Sequence, residues 1–239
     1  PPSMSGRGRE LFMLNYTTSV SSQDFVGSRP WCERCARPKS DCLCSTLPAE
    51  GLLETRTRIV LFMHPQEVRR GLATGPLLRL CLQNFLLKVG YHFPEPDEDP
   101  EFHAALHEGG RRCMLVCPGE DARELRPPPP DDREALADAA VFSQPPATLI
   151  FVDARWHQVN RMLRQSRWLQ EIPRVVLCPT FKSKIFFWKQ PREGYLTTLE
   201  AVAEALVALE GSRGPLLKKA LLAPLQSMVE RVQQRAPNL

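Results

Sequence analysis

Four short runs in the chain are apolar throughout instead of alternating: Thr57 to Met63, Cys113 to Val116, Thr148 to Val152 and Arg174 to Leu177. Strands that bury both faces carry that pattern, so the runs predict a parallel sheet covered on both sides. Each is followed at once by a polar or turn-forming loop: His64-Pro65-Gln66-Glu67, Cys117-Pro118-Gly119-Glu120, Asp153-Ala154-Arg155-Trp156 and Cys178-Pro179-Thr180-Phe181. Parallel strands bring all four loops to one edge, where open α/β sheets bind ligands. Helical spacing fills the gaps. Leu77, Leu80, Cys81 and Leu87 predict a helix from Pro76 to Lys88, and Trp156, Val159, Met162, Leu163 and Leu169 predict another after the third strand. A third, marked by Leu199, Val202, Ala203, Leu206 and Leu209, stops at Gly211, and a last one from Leu217 to Gln234 is kinked or broken at Pro224. The Pro-rich stretches Phe93 to Pro100 and Arg126 to Pro130 read as extended surface connections.

Size narrows the picture. With 239 residues, 43% of them hydrophobic, the chain has enough for one sizeable domain and a minor module. Residues 1–27 carry Arg7, Arg9 and Glu10 and no apolar core of signal-peptide length, so we expect a disordered N-terminus in an intracellular protein, cytoplasmic or nuclear, with no membrane partner. Net charge is only +4, but its distribution is uneven: acids gather at Glu95 to Glu101 and Asp131 to Glu134, whereas Arg155, Arg161, Arg164, Arg167, Arg174, Lys182, Lys184, Lys189 and Arg192 make a basic half. Such a face either binds a polyanion or is simply solvated. There is no internal repeat and no glycine-rich loop of the P-loop or dinucleotide kind, which argues against nucleoside triphosphates and NAD.

Half of the eight cysteines lie in one polar, basic loop, Cys32-x2-Cys35-x6-Cys42-x-Cys44. Disulfides would suit a small secreted domain without a large core, and this chain is neither. Four thiolates at that spacing predict a closed structural Zn²⁺ site in a small module over residues 28–50. Its neighbours Arg34, Arg37 and Lys39 are candidate phosphate contacts, as are Arg69 and Arg70. The other cysteines, Cys81, Cys113, Cys117 and Cys178, read as buried small hydrophobes.

Taken together, the cysteine cluster, the strand ending in His64-Pro65-Gln66-Glu67, the Pro118-Gly119 turn, Leu149-Ile150-Phe151-Val152 running into Asp153-Ala154-Arg155-Trp156, and Tyr195-Leu196-Thr197-Thr198-Leu199-Glu200-Ala201 resemble the DTW-domain proteins, tRNA-uridine aminocarboxypropyltransferases, over roughly Trp31 to Leu225. The resemblance implies a SPOUT-like α/β domain over residues 51–239, an open parallel sheet with a C-terminal trefoil knot, a rare exception to ordinary topology. It also implies S-adenosylmethionine bound in the knotted loops and transfer of its 3-amino-3-carboxypropyl chain to N3 of a tRNA uridine, giving acp3U and methylthioadenosine. One departure stands out. The family motif has Thr between Asp and Trp, and this chain has Arg155; Thr197 stands where relatives often have Ser.

Site residues follow from the loops and the resemblance together. Asp153 is either the base or orienter for N3 or the N-cap of the following helix. Trp156 either stacks on a base or begins the apolar helical stripe. Pro118 and Gly119 allow a close backbone approach, and with Val152, Leu196, Thr197 and Leu199 they are the cofactor-loop expectation that the resemblance carries. His64, with Glu67, either contacts RNA or cofactor or bonds structurally, and Arg155 and Lys182 complete the RNA-facing set with Arg37, Lys39, Arg69 and Arg70. Two other functions stay open: a zinc-containing RNA-binding protein with weakened catalysis, and an S-adenosylmethionine-dependent RNA methyltransferase.

Overall fold

The computed structural model describes residues 30–35, 37–68, 73–126, 144–178, 183 and 196–235. The expected strands form. β3 is Arg58–Met63, β5 Arg112–Val116, β7 Ala147–Asp153 and β8 Arg174–Leu177, following a two-stranded antiparallel ribbon of β1 (Trp31–Cys32) and β2 (Arg37–Pro38). Two further strands, β4 (Phe85–Val89) and β6 (Arg123–Leu125), complete a six-stranded sheet of order β4-β3-β7-β5-β8-β6, and every pairing is parallel. Because β8 lies between β5 and β6, the β5–β6 connection spans the place that β8 later fills.

Strand β4 corrects the sequence reading. The helix expected to reach Lys88 stops early: α2 covers Gly75–Cys81, after α1 (Pro65–Val68), and Leu82 turns to an extended backbone. The continuous run Phe85-Leu86-Leu87 then pairs with β3, Ile59 opposite Phe85 and Leu61 opposite Leu87. Leu87 matched the helical stripe by coincidence, since buried strands and buried helix segments look alike over so short a run. Phe93 also differs from expectation. It is buried, stacked on Phe62 at a centroid distance of 3.7 Å, and only after it does the chain run over the surface to α3 (Pro100–His107).

Alternate residues of the central strands feed two cores. Ile59, Leu61, Leu149 and Phe151 pack with α2, α6 (Thr198–Leu209) and α7 (Gly214–Arg235). Val60, Phe62 and Ile150 pack on the other face with α3, α4 (Trp156–Gln165) and α5 (Trp168–Glu171). All six residues of β3 are buried, as a strand covered on both faces requires. Helix α6 ends before Gly211, whose φ of +57° suits glycine, in line with the sequence. Helix α7 does not break at Pro224: it runs through with the proline buried, so packing of Leu217, Leu221, Leu225 and Met228 outweighs one lost backbone bond.

Elsewhere the described cysteines are mixed in exposure: Cys81 and Cys117 are buried, Cys113 and Cys178 only partly so. No helix among the described residues is long and apolar enough to cross a membrane. The expectations for residues 1–27, Arg69, Arg70 and Lys182, and for the segment between Cys178 and Leu196 apart from Ser183, lie outside the described residues.

Candidate active site and metal centre

The cysteine loop closes on itself. The Sγ atoms of Cys32 and Cys44 lie 3.6 Å apart and those of Cys35 and Cys42 3.8 Å apart, and all four fall within 4.8 Å of one another. Tetrahedral Zn–S bonds of about 2.3 Å set their sulfurs roughly 3.8 Å apart, so the four thiols fit a zinc ion, and a set of four protein ligands leaves no open position for catalysis. The four thiols titrate unequally: the backbone N–H of Cys35, then the neighbouring thiols, draw the Cys32 thiol down to about 6, whereas burial and the same neighbours push Cys44 up to about 12 and burial pushes Cys35 up.

The loop is not a free appendage. Leu43 and Leu47 are buried in the same core as α7, Arg231 donates to the Ser40 carbonyl at 3.4 Å, and Arg235 pairs with Asp41 at 2.5 Å, holding the Asp41 carboxyl below its usual range. Arg37 is half-buried and donates to the Ala73 carbonyl at 3.4 Å, tying the ribbon to the segment that leads into α2, whereas Lys39 is exposed.

At the other end of the molecule's logic is the C-terminal edge of the sheet. Parallel pairing brings His64, after β3, and Asp153, at the end of β7, together: the His64 N–H donates to the Asp153 carbonyl at 3.0 Å. The two loops are then joined through side chains. Gln66 N–H donates to His64 Nδ1 at 3.2 Å, Gln158 Nε2 donates to Gln66 Oε1 at 2.7 Å, and Arg155 N–H donates to Gln158 Oε1 at 3.0 Å. Asp153 Oδ2 lies against α2, where a Cβ on Gly75 would come within 3.0 Å of it and within 2.7 Å of Leu61. Glycine there lets the helix start approach the carboxylate.

His64 is 6% exposed, and burial pushes its pKa below the ordinary value; Glu67 opposes that shift, while His157, Arg155 and Arg161 reinforce it. It therefore stays neutral near pH 7. Trp156 is 45% exposed, so it does not belong to the apolar stripe of α4, which Val159, Met162 and Leu163 carry. The N-cap of α4 is Arg155, not Asp153.

That cap is incomplete. A capping box pairs a hydroxyl at the N-cap with Glu or Gln at the third helical residue. Gln158 supplies its half by accepting from Arg155 N–H, but a guanidinium has no acceptor to return. The same chain shows the full box at α6: Thr197 Oγ1 accepts from Glu200 N–H at 3.3 Å, and Glu200 Oε2 accepts from Thr197 N–H at 2.8 Å. Buried Glu200 also accepts from the Ser183 hydroxyl at 2.9 Å.

The remaining expected residues do not gather at one point. Val152 is half-buried at the end of β7, and Leu196 and Thr197 are half-buried ahead of α6. Leu199 is fully buried in the core. Pro118 and Gly119 are exposed but occupied by the protein itself: Arg174 Nη1 donates to the Pro118 carbonyl at 3.3 Å, and a Cβ on Gly119 would come within 2.9 Å of that side chain. Arg155 is exposed. The exposed Tyr91, after β4, meets His64 edge-on at 5.0 Å and was missed by the sequence reading; it gave no motif, only an aromatic after a run misread as helix.

Comparison with known proteins adds a second line. A family profile described as the DTW domain matches residues 29–233. The chain is 32% identical over 202 residues to a tRNA-uridine aminocarboxypropyltransferase 2 of Macaca fascicularis, covering 84% of this chain and 62% of that protein. It is 29% identical to the protein of that name from Drosophila melanogaster, over 87% of this chain and 76% of the relative. A tRNA-uridine aminocarboxypropyltransferase A of Arabidopsis thaliana is 28% identical over 89% and 84%. The chain thus spans about three-fifths of the length of the macaque relative, which it covers to 62%. No solved structure matches.

Proposed function

This chain belongs to the DTW-domain family, and from that premise we propose that it transfers the 3-amino-3-carboxypropyl group of S-adenosylmethionine to N3 of a uridine in tRNA. The observation that carries the reading is the strand-end carboxylate of Asp153, set between Gly75 and the His64 loop, with exposed Trp156 and Arg155 beside it. S-adenosylmethionine supplies an alkyl carbon already activated by its sulfonium. The donor set suits it: a carboxylate complements a sulfonium, and an exposed indole offers a face to a purine or a uracil.

Uridine N3 carries a proton at neutral pH and is a poor nucleophile until it is lost. As the bond from N3 to the aminocarboxypropyl carbon forms, that carbon's bond to sulfur breaks, methylthioadenosine leaves, and the N3 proton must be accepted. Asp153 is the group at hand. An ordinary Asp, at about 3.9, is a weak base for an imide, so its larger contribution is to orient N3 in line with the carbon. Arg155 and Arg161 at α4 take phosphates, and so does Lys39, which the cysteine loop, bound to α7, holds in a fixed seat. The β8 position between β5 and β6 supports the knotted SPOUT-like arrangement.

The reading in which Arg155 marks a disabled enzyme has less support, because the missing Thr is a helix cap and Asp153 and Trp156 are retained. The test is to incubate the zinc-loaded protein with unmodified tRNA and S-adenosylmethionine, digest to nucleosides and weigh them. A uridine heavier by the aminocarboxypropyl group is expected. A methylated uridine would replace the reading with methyl transfer, and tight tRNA binding with no mass change would replace it with a binding module.

A further inference from the structure

Four large apolar side chains among the described residues are exposed: Leu52, Tyr91, Trp156 and Leu216. The two aromatic ones both sit at the C-terminal edge of the sheet, Trp156 after β7 and Tyr91 after β4. Tyr91 is 59% exposed, yet its backbone is fixed on both sides. Gly90 N–H donates to the Met63 carbonyl at 3.1 Å, Phe93 N–H donates to Ser166 Oγ at 2.8 Å, and the Trp168 indole donates to the Phe93 carbonyl at 3.4 Å. Beside the ring, buried His64 lies perpendicular to it, at 84° and 5.0 Å between centroids. Around His64, within electrostatic reach, stand the cations Arg155 and Arg161 and the exposed His157.

A preset aromatic face bordered by cations is what an unpaired nucleobase and its phosphate require. We propose that Tyr91 is a stacking platform for an unpaired base of the RNA substrate, holding a loop nucleotide next to the uridine that faces Asp153, with His157 and Arg161 contacting the adjoining phosphates. Tyr91 is therefore a positioning residue, and single-stranded loops are the substrate class it selects. This rests on the RNA substrate of the function proposed above. Ordering costs little, since the ring is held in place before the base arrives.

The test measures fluorescence-polarisation binding of a short RNA hairpin with a uridine-containing loop, and of a blunt duplex, to the unaltered protein and to Tyr91→Leu and Tyr91→Phe. Tyr91→Leu should weaken hairpin binding about tenfold, as loss of one stacked base does. Duplex binding, governed by the cations, should stay unchanged. Tyr91→Phe should bind like the unaltered protein. Equal hairpin affinity for Tyr91→Leu, or an equal loss on hairpin and duplex, would overturn the platform. Failure of the nucleoside assay with this hairpin preference intact would sink the transferase reading and leave the platform standing. Failure of the unaltered protein to bind either RNA would sink both.

Discussion

Arg155→Thr should make the protein more stable. The residue is the N-cap of α4, with φ of −68° and ψ of 149°, a backbone that needs no adjustment to take a capping hydroxyl. Its Gln158 partner is already in position. A capping hydroxyl contributes about 1 kcal/mol in general. Here the gain falls toward the lower part of that range, because the Gln158 N–H already donates to the Arg155 carbonyl at 2.8 Å. Removing a cation from the positive end of a ten-residue helix adds about 0.3–1 kcal/mol. The sum, about 1 kcal/mol, raises Tm by about 2–4 °C in a domain of this size. Differential scanning calorimetry of the zinc-loaded proteins measures it, with Thr197→Ala, which breaks the complete box on α6, as the reference for a loss of similar size. Because the new hydroxyl accepts from the backbone N–H of residue 158 and the lost charge acts on the helix dipole, most of the gain should persist when it is measured against Gln158→Ala alone. If Arg155→Thr leaves Tm unchanged or lowers it while Thr197→Ala behaves as expected, the capping account of this position is wrong, and the arginine has been recruited for a contact of its own.

Other outcomes follow from the same geometry. Asp153→Asn should reduce single-turnover tRNA modification by about 100-fold or more while Tm stays put, and near-normal turnover would retire Asp153 as base or orienter. Gly75→Ala inserts a methyl where Leu61 and Asp153 leave no room, so it should cost about 1–3 kcal/mol in denaturant unfolding and lower turnover with it; a silent substitution would mean the carboxylate does not need that approach. Cys35→Ser should abolish the bound zinc seen by elemental analysis and lower Tm, because Cys35 is buried and its thiolate closes the site. Full zinc retention in that variant would dismiss the four-cysteine assignment.

The sheet was legible because strands covered on both faces read as nearly unbroken apolar runs: β3 and most of β7 are buried throughout, and the partly buried β5 and β8 keep the same pattern. β4 was not, because Leu87 happens to sit at helical spacing from Leu80, and what separates the two readings is the partner strand, which is distant in sequence. The four-cysteine cluster was legible from cysteine spacing alone. In the candidate active site, Asp153 and Trp156 stood out by motif, but the roles of their neighbours did not. That Arg155 is the cap and Asp153 is not, that Gln66 and Gln158 join two loops, and that Arg174 covers Gly119 all depend on contacts between segments far apart in the chain. A buried acid shows the same limit. Glu210, 2% exposed, accepts from the N–H groups of Arg56 and Thr57 and so fixes the start of β3, and nothing in its local sequence announces it.

Helix α7 joins the main core to the zinc loop, and its contact between Arg231 and Ser40 bridges 191 residues. On the ribosome the cysteines emerge long before that helix does. The loop can gather four thiolates and bind metal early, but the surface on which Leu43 and Leu47 pack is incomplete until α7 has left the exit tunnel. Gathering of the four thiols and docking of their loop are thus separate events in the synthesis of the chain, and a nascent protein stalled short of α7 would carry the closed cysteine loop with nowhere to seat it.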